Sequence, residues 1–344
     1  MAENTSFYTV ASPSPSEWDV PEYRMTFLSL IIFLESAAGI VGNVAVLLIV
    51  VCFRDMHTLI NLSFANLAVS DLCVFFLDAI PTALDVIGCN ISSKLGCRIP
   101  YYMQWVTGQV TCLTLAFLSY DRYRVVVRPF NSLRHRSSRQ VWMLLLAMWS
   151  VSFIIQAPMI YVGSPNERGL CQEYAPKHGV RFFFSAETVS LFLVPLAIMC
   201  FCHYHIWRTL VNSRRVPSQR GCFSSSVDSS VLTLNRKLWR QRKRGIRVVT
   251  AAVLTFALCC APIHSVHLWY AYSGNRIQEH DIFYVQIHTV ANAIMYFSNF
   301  MNPYIYAFLG KGFRRHTKDI VRCFSLRQQL MGYSIGKKDA STWL

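Results

Sequence analysis

The chain has 344 residues, 53% of them hydrophobic and only 15% charged, with a mean hydropathy of +0.32. A soluble domain carries roughly 25% charged residues, so much of this apolar surface must face something other than water. The formal net charge of +15 invites a nucleic-acid partner, but the basic residues gather beside apolar stretches, which points to a membrane and to no nucleic acid.

A helix that crosses a bilayer needs roughly 20 mostly apolar residues. Seven such stretches follow one another at 25–52, 59–87, 98–127, 141–162, 182–207, 246–272 and 284–309. The predicted fold class is therefore an all-α membrane protein, a seven-transmembrane helix bundle with a short amphipathic eighth helix. Residues 1–23 form an extracellular tail, 24–310 the bundle, and 311–344 the inner helix and tail. The first stretch follows an acidic segment, Glu17 to Glu22, and lacks a basic leader, so it reads as a membrane helix and not a cleaved signal.

Ionisable groups within a bilayer are costly and usually functional. The first span holds Glu35 and Asn43, the second Asp71 and Asp78, and the seventh Asn292, Ser298, Asn299 and Asn302. Asn43, Asp71, Thr111, Ser298 and Asn302 are expected to converge at mid-depth. A carboxylate among neutral oxygens suits an allosteric sodium ion; a hydrogen-bonded network that tightens the bundle without an ion accounts for the same residues. Pro81, Pro158, Pro195, Pro262 and Pro303 each sit inside a span. Proline removes an amide donor and kinks a helix, and five kinks in separate spans suit a bundle that works by bending.

The charge pattern sets the orientation. Of 33 Lys and Arg, all but Arg24, Lys94, Arg98, Arg168, Lys177, Arg181 and Arg276 fall on the cytoplasmic side if the N-terminus is extracellular. That asymmetry is the positive-inside rule. The sequons at Asn4 and Asn90 then both lie outside, open to glycosylation. Most of the twelve cysteines sit within spans, but Cys97 and Cys171 face the oxidising side and are expected to form a disulfide across the helix mouth. Cys89 is also outside, without an obvious partner.

These residues resemble the rhodopsin-like, or class A, G-protein-coupled receptors over nearly the whole chain. The matching motifs are Gly42-Asn43, Asn66-Leu67-Ala68-Val69-Ser70-Asp71, Cys97, Asp121-Arg122-Tyr123, Trp149, Pro195, Phe256 with Pro262, Asn302-Pro303-Tyr304-Ile305-Tyr306 and Phe313. The resemblance implies a plasma-membrane receptor for an extracellular ligand, a heterotrimeric G protein as partner, and arrestin and receptor kinases after it. It implies a G-protein switch built from Asp121, Arg122, Tyr123, Phe256, Pro262, Asn302, Pro303 and Tyr306, with Arg122 paired to Asp121 at rest and Tyr306 as its partner on the seventh helix. Two positions depart from the pattern. Cys260 stands where the family usually has a tryptophan, and His203, beside Tyr204, where it usually has a tyrosine. A small thiol cannot lever a helix as an indole does, so Phe256 is expected to carry more of the packing change.

Gln104 occupies the position of the amine-receptor aspartate, and Tyr296 that of the opsin lysine. The resemblance therefore points to peptide receptors, most of all the kisspeptin, galanin and allatostatin-A group, and to a short amidated neuropeptide. Expected ligand contacts are Gln104, Trp105, Gln109, Glu187, His264, His267, His288, Asn292 and Tyr296, with Trp269 and Tyr270 nearby. Aromatic faces hold an arginine by cation–π attraction. The three histidines also raise a metal site or a pH sensor, since imidazole titrates near neutrality.

On the inner side, Arg236–Arg247 serves membrane lipid and G protein together. Ser224–Ser230 reads as a flexible, phosphorylated loop. Cys323 is a palmitoylation candidate. The terminal Ser341-Thr342-Trp343-Leu344 fits capture by a PDZ protein. A membrane transporter would show internal repeats, and none is visible. A hydrolase would show H-E-x-x-H or G-x-S-x-G, and neither occurs. A constitutive or decoy receptor of the same fold is the remaining alternative, raised by Cys260.

Overall fold

The computed structural model describes residues 22–87, 94–128, 138–161, 163–165, 171–173, 179–215, 229–273, 282–320 and 322. Helix α1 runs Glu22–Cys52, followed by a 3-10 turn at Arg54–Met56. Helix α2 starts at Leu59, where the Thr58 hydroxyl caps it by accepting from the Asn61 amide at 3.3 Å. It runs to Val74, passes a π-helical turn at Phe75–Ala79 and continues over Ile80–Val86. Helix α3 spans Lys94–Val127, and α4 spans Ser138–Ile155 before a 3-10 turn at Ala157–Tyr161. Helix α5 comprises Val180–Thr188, a π-helical turn at Val189–Leu193, and Val194–Arg215. Helices α6 and α7 cover Ser229–Tyr272 and Ile282–Leu309, and α8 occupies residues 311–320.

The seven expected spans are thus seven long helices, and the eighth follows. The outer loop adds a small hairpin that the sequence did not suggest. Strands β1 (Gly163–Pro165) and β2 (Cys171–Glu173) pair antiparallel in the register Gly163↔Glu173, Ser164↔Gln172 and Pro165↔Cys171, and β1 packs on α3.

Among the described residues, Met25–Cys52, Leu59–Val86, Val180–Asn212 and Lys243–Tyr272 are long and apolar enough by composition alone to cross a membrane. Helix α3 is more polar, and its position explains why. It packs against α2, α4, α5 and α6, so few of its side chains reach the outside. A helix enclosed by protein can carry polar groups that a lipid-facing one cannot. The outward faces of the bundle carry Phe27, Leu34, Leu146, Ile154, Phe182, Leu258 and Phe308, all exposed, as a lipid-contacting surface requires.

Both π-helical turns precede a proline, Pro81 and Pro195. Proline lacks the N–H that would bond four residues back, so the carbonyls of Leu77, Leu191, Leu258 and Asn299 lose that donor to Pro81, Pro195, Pro262 and Pro303. Neighbours re-satisfy two of them, as is usual in membranes. The Cys112 thiol donates to the Leu191 carbonyl at 2.8 Å, and the Asn43 amide to the Asn299 carbonyl at 3.5 Å. Helices α3 and α1 thereby stabilise the bends of α5 and α7.

Helix α8 is pinned to the first inner loop. Gly312 lies so near Met56 that an added Cβ would sit 2.9 Å from its sulfur. His316 stacks on Phe53 at 3.9 Å and places Nε2 3.0 Å from Asp55 Oδ2. That hydrogen bond holds the Asp55 carboxyl below its usual range.

Candidate functional site

A cavity opens between α2, α3, α5, α6 and α7, in the half of the bundle that holds the start of α3. Gln104, Trp105, Glu187, His264, His267 and Asn292, six of the residues named as candidate ligand contacts, line it. Asp78, Cys112, Leu191, Met295 and Asn299 join them, with Phe256 and Cys260 as the floor. Asp78 was legible as an intramembrane carboxylate; its place in the cavity was not.

At the α5–α6 side a polar chain forms. Glu187, only 3% exposed, lies between two imidazoles, with Oε1 3.2 Å from His264 Nδ1 and Oε2 3.2 Å from His267 Nδ1. His267 Nε2 is 3.4 Å from His288 Nε2, and His288 Nδ1 is 3.3 Å from Asn292 Nδ2. A buried carboxylate is tolerable only beside such partners.

Three expected contacts are not among the residues that line the cavity. His288 stands behind His267 as its hydrogen-bond partner. Gln109 turns to α4, where its Oε1 accepts from Gln156 Nε2 at 3.2 Å. Tyr296 is fully buried among Val74, Phe75 and Ala79 of α2, with its hydroxyl 3.2 Å from Thr82 Oγ1. Gln109 and Tyr296 therefore hold helices together, and Tyr296 shapes the α2 wall behind Asp78.

Below the cavity, Asp71 Oδ2 accepts from Asn302 Nδ2 at 3.0 Å, and Asn43 donates to the Gly39 carbonyl at 3.0 Å. Thr111 joins Ser70 at 2.9 Å, and Ser70 also donates to the Thr107 carbonyl at 2.8 Å. Ser298 is buried in α7 near this layer. Asn66 links α2 to α3 and α4, donating to Thr114 at 2.9 Å and accepting from the Trp149 indole at 2.9 Å. The oxygens Asp71 Oδ1 and Asn43 Oδ1 are buried without a hydrogen-bond partner.

At the inner end Arg122 is buried and paired with Asp121. Tyr123 packs on Phe201 and His205 of α5. Gly245 of α6 faces the arginine: a Cβ there would stand 3.0 Å from Arg122 Nη1. Tyr306 stacks on Phe64 at 4.0 Å and stands 6.0 Å from Phe313, so here its ring contacts α2 and α8. His203 bonds back to the Met199 carbonyl of its own helix at 2.9 Å. A second cavity opens beside Gly245, between Met56, Phe64, Arg244, Tyr306 and Phe313. Cys97 is disulfide-bonded, while the side chain of Cys171 lies outside the described residues, as do Asn4, Asn90, Cys323 and Leu344.

The arrangement is a cavity toward one end of the bundle, a polar layer at mid-depth and a buried arginine–aspartate pair toward the other end. Comparison with known proteins identifies the family. The family described as "7 transmembrane receptor (rhodopsin family)" matches residues 42–306. The chain is similar to the human KiSS-1 receptor, 31% identical over 319 residues that cover 90% of this chain and 77% of that protein. It is 26% identical to the mouse pyroglutamylated RF-amide peptide receptor, covering 89% of this chain and 71% of that one. It is also 26% identical to the tachykinin-like peptides receptor 86C of Drosophila melanogaster, covering 90% and 62% respectively. Such proteins are signalling receptors, which sets aside the enzyme and transporter readings. The chain belongs to the rhodopsin family of seven-transmembrane receptors, as a multi-pass plasma-membrane protein that signals through heterotrimeric G proteins.

Proposed function

We propose that the receptor's ligand is a short extracellular peptide, amidated and of kisspeptin or RF-amide type. The observation that carries this is the outer cavity. Its lining brings a buried acid, Glu187, together with the Trp105 ring and the polar side chains of Gln104, Asp78 and Asn292. Glu187 offers a carboxylate to an arginine or amide donor, while Trp105 offers a ring face. Two of the relatives named above carry such peptides in their names, which supports the same reading.

The test is a panel of amidated peptides on cells expressing the receptor, read by calcium and cyclic-AMP reporters. At least one peptide gives a saturable response, and Glu187→Gln shifts its potency by about 10-fold or more, since hydrogen bonds to charged groups are worth about 1.5–3 kcal/mol. Silence toward every peptide in cells whose receptor still activates G protein on its own would sink the peptide reading.

The N-terminus lies outside, with Asn4 and Asn90 glycosylated. Cys97 pairs with Cys171, which the placement of β2 beside β1 on α3 supports. Cys97→Ser is expected to lose most surface expression and ligand binding, as removing a native disulfide costs about 2–5 kcal/mol. Unchanged surface staining and binding would refute the bridge. Asp71 Oδ1 and Asn43 Oδ1, buried without partners, fit a small hard cation, and Asp71 would hold sodium as the only charged ligand. Inside, palmitoyl at Cys323 would add to the Phe53–His316 anchoring of α8 at the membrane surface. The basic segment around Arg236–Arg247 engages lipid and G protein, the tail serves kinases and arrestin, and Leu344 a PDZ protein.

A further inference from the structure

We propose that Glu187, His264 and His267 form a binding site for a zinc-class divalent cation that ties α5 to α6 at the outer mouth. Their candidate ligand atoms all lie within 4.8 Å of one another. Each Nδ1 stands 3.2 Å from its carboxylate oxygen. Zinc bonds imidazole nitrogen at about 2.0–2.1 Å and carboxylate oxygen at about 2.0–2.2 Å, so neighbouring ligands of a tetrahedral ion stand about 3.4 Å apart. Both histidine–carboxylate distances are near that spacing, and the remaining pair of ligand atoms lies within 4.8 Å, a gap that a small rotation of either ring closes.

A second observation is independent of the distances. His264 Nδ1 is buried and has no hydrogen-bond partner, although Glu187 Oε1 is near, so its alignment with the carboxylate is poor for a proton bridge. A metal placed between them would use both atoms. The rings are also held in place. Phe192 stacks on His264 at 5.0 Å, and Phe184 packs on His267 at 4.9 Å. His288 Nε2 sits behind His267 Nε2 at 3.4 Å, where an outer partner orients a ligating imidazole.

Two nitrogens and one carboxylate select zinc-like ions over magnesium or calcium, which prefer oxygen. Three protein ligands leave a fourth position open to the cavity, available to water or to a donor atom of a bound peptide. A divalent ion also supplies the positive charge that Glu187 needs without protonating both imidazoles. By bridging α5 and α6 above Pro262 it biases the receptor toward the helix spacing seen here.

The experiment uses the full-length receptor purified into lipid nanodiscs, without peptide or G protein. Zinc is titrated against a chromophoric chelator, and cobalt(II) is bound in parallel to read coordination from its visible spectrum. One tight equivalent is expected, with the intense d–d bands of four-coordinate cobalt. His264→Ala, His267→Ala and Glu187→Gln each lose it. His288→Ala keeps the stoichiometry with affinity weaker by about 10- to 100-fold, as for an outer-shell partner. His264→Cys keeps the equivalent and adds a sulfur-to-cobalt charge-transfer band, so the site is tested even where an alanine variant fails to fold. The absence of a tight equivalent overturns the proposal. So does an equivalent that survives both histidine-to-alanine changes, or folded His264→Cys protein lacking the charge-transfer band. Because the readout needs no agonist, failure here is separate from failure of the peptide assignment.

Discussion

Arg122→Ala is expected to abolish G-protein activation while leaving surface expression and outer-cavity ligand binding intact. Arg122 lies at the inner end of α3, buried, with Nε 3.1 Å from Asp121 Oδ2. The pair is mostly buried, its side chains 11% and 15% exposed, so removing the arginine leaves a largely buried carboxylate, and surface staining separates that cost from the loss of coupling. The role under test is what the guanidinium does when α6 moves. Five donors in a fixed fork, always charged, suit a carbonyl-rich partner entering from the cytoplasm. In the structure α6 covers it at Gly245, so it is withheld from that partner. Nucleotide exchange on membranes, measured with a saturating peptide from the panel, is expected to fall to the level of untransfected membranes. Antibody staining and ligand binding serve as controls. Wild-type exchange in this variant would remove Arg122 from the switch.

Much of this arrangement was legible because a helix repeats every 3.6 residues. Gln104, Trp105, Gly108, Thr111 and Cys112 recur on one stripe of α3, and all line the cavity. Gln109 falls about 140° around the helix from Gln104, and the structure turns it to Gln156. The same arithmetic places it off the stripe that lines the cavity. His264 and His267 are three residues apart, hence neighbours on α6. Their meeting with Glu187 was not legible, because it depends on how α5 packs on α6. The π-helical turns were equally hidden. Pro81 and Pro195 announced bends, but whether a bend widens into a π turn depends on the neighbour that takes up the freed carbonyl, such as Cys112 at Leu191. Glycines were the least readable signals. Gly39 lies so close to Phe75 that a Cβ would stand 2.3 Å from its ring, yet in the sequence it is simply a small residue of an apolar run; Gly42 was legible only as part of the Gly42-Asn43 motif, not as the place where a Cβ would stand 2.7 Å from Pro303.

Gly245→Val is expected to raise ligand-independent signalling several-fold over the unchanged receptor. The hydrogen of Gly245 is what lets α6 close over Arg122. A single Cβ already reaches 3.0 Å from Nη1, which a flexible guanidinium can relieve by a small shift. Two further methyls cannot be absorbed so cheaply, and overpacking of this kind costs about 1–3 kcal/mol. The strain exists only where α6 covers the arginine, so it raises the free energy of the closed arrangement alone. Each 1.4 kcal/mol then moves the closed-to-open ratio about tenfold, and the population follows the state without the clash. Gly245→Ala should sit between glycine and valine, which distinguishes graded crowding from general damage. Cys260 makes the effect larger, because the thiol on the cavity floor fills less space than the usual indole and offers less resistance to rotation of α6 about Pro262. The measurement is basal nucleotide exchange per receptor at the cell surface, without peptide, for Gly, Ala and Val at this position. An order in which valine signals no more than glycine, at equal surface density, would show that contact between α6 and Arg122 does not hold the receptor at rest.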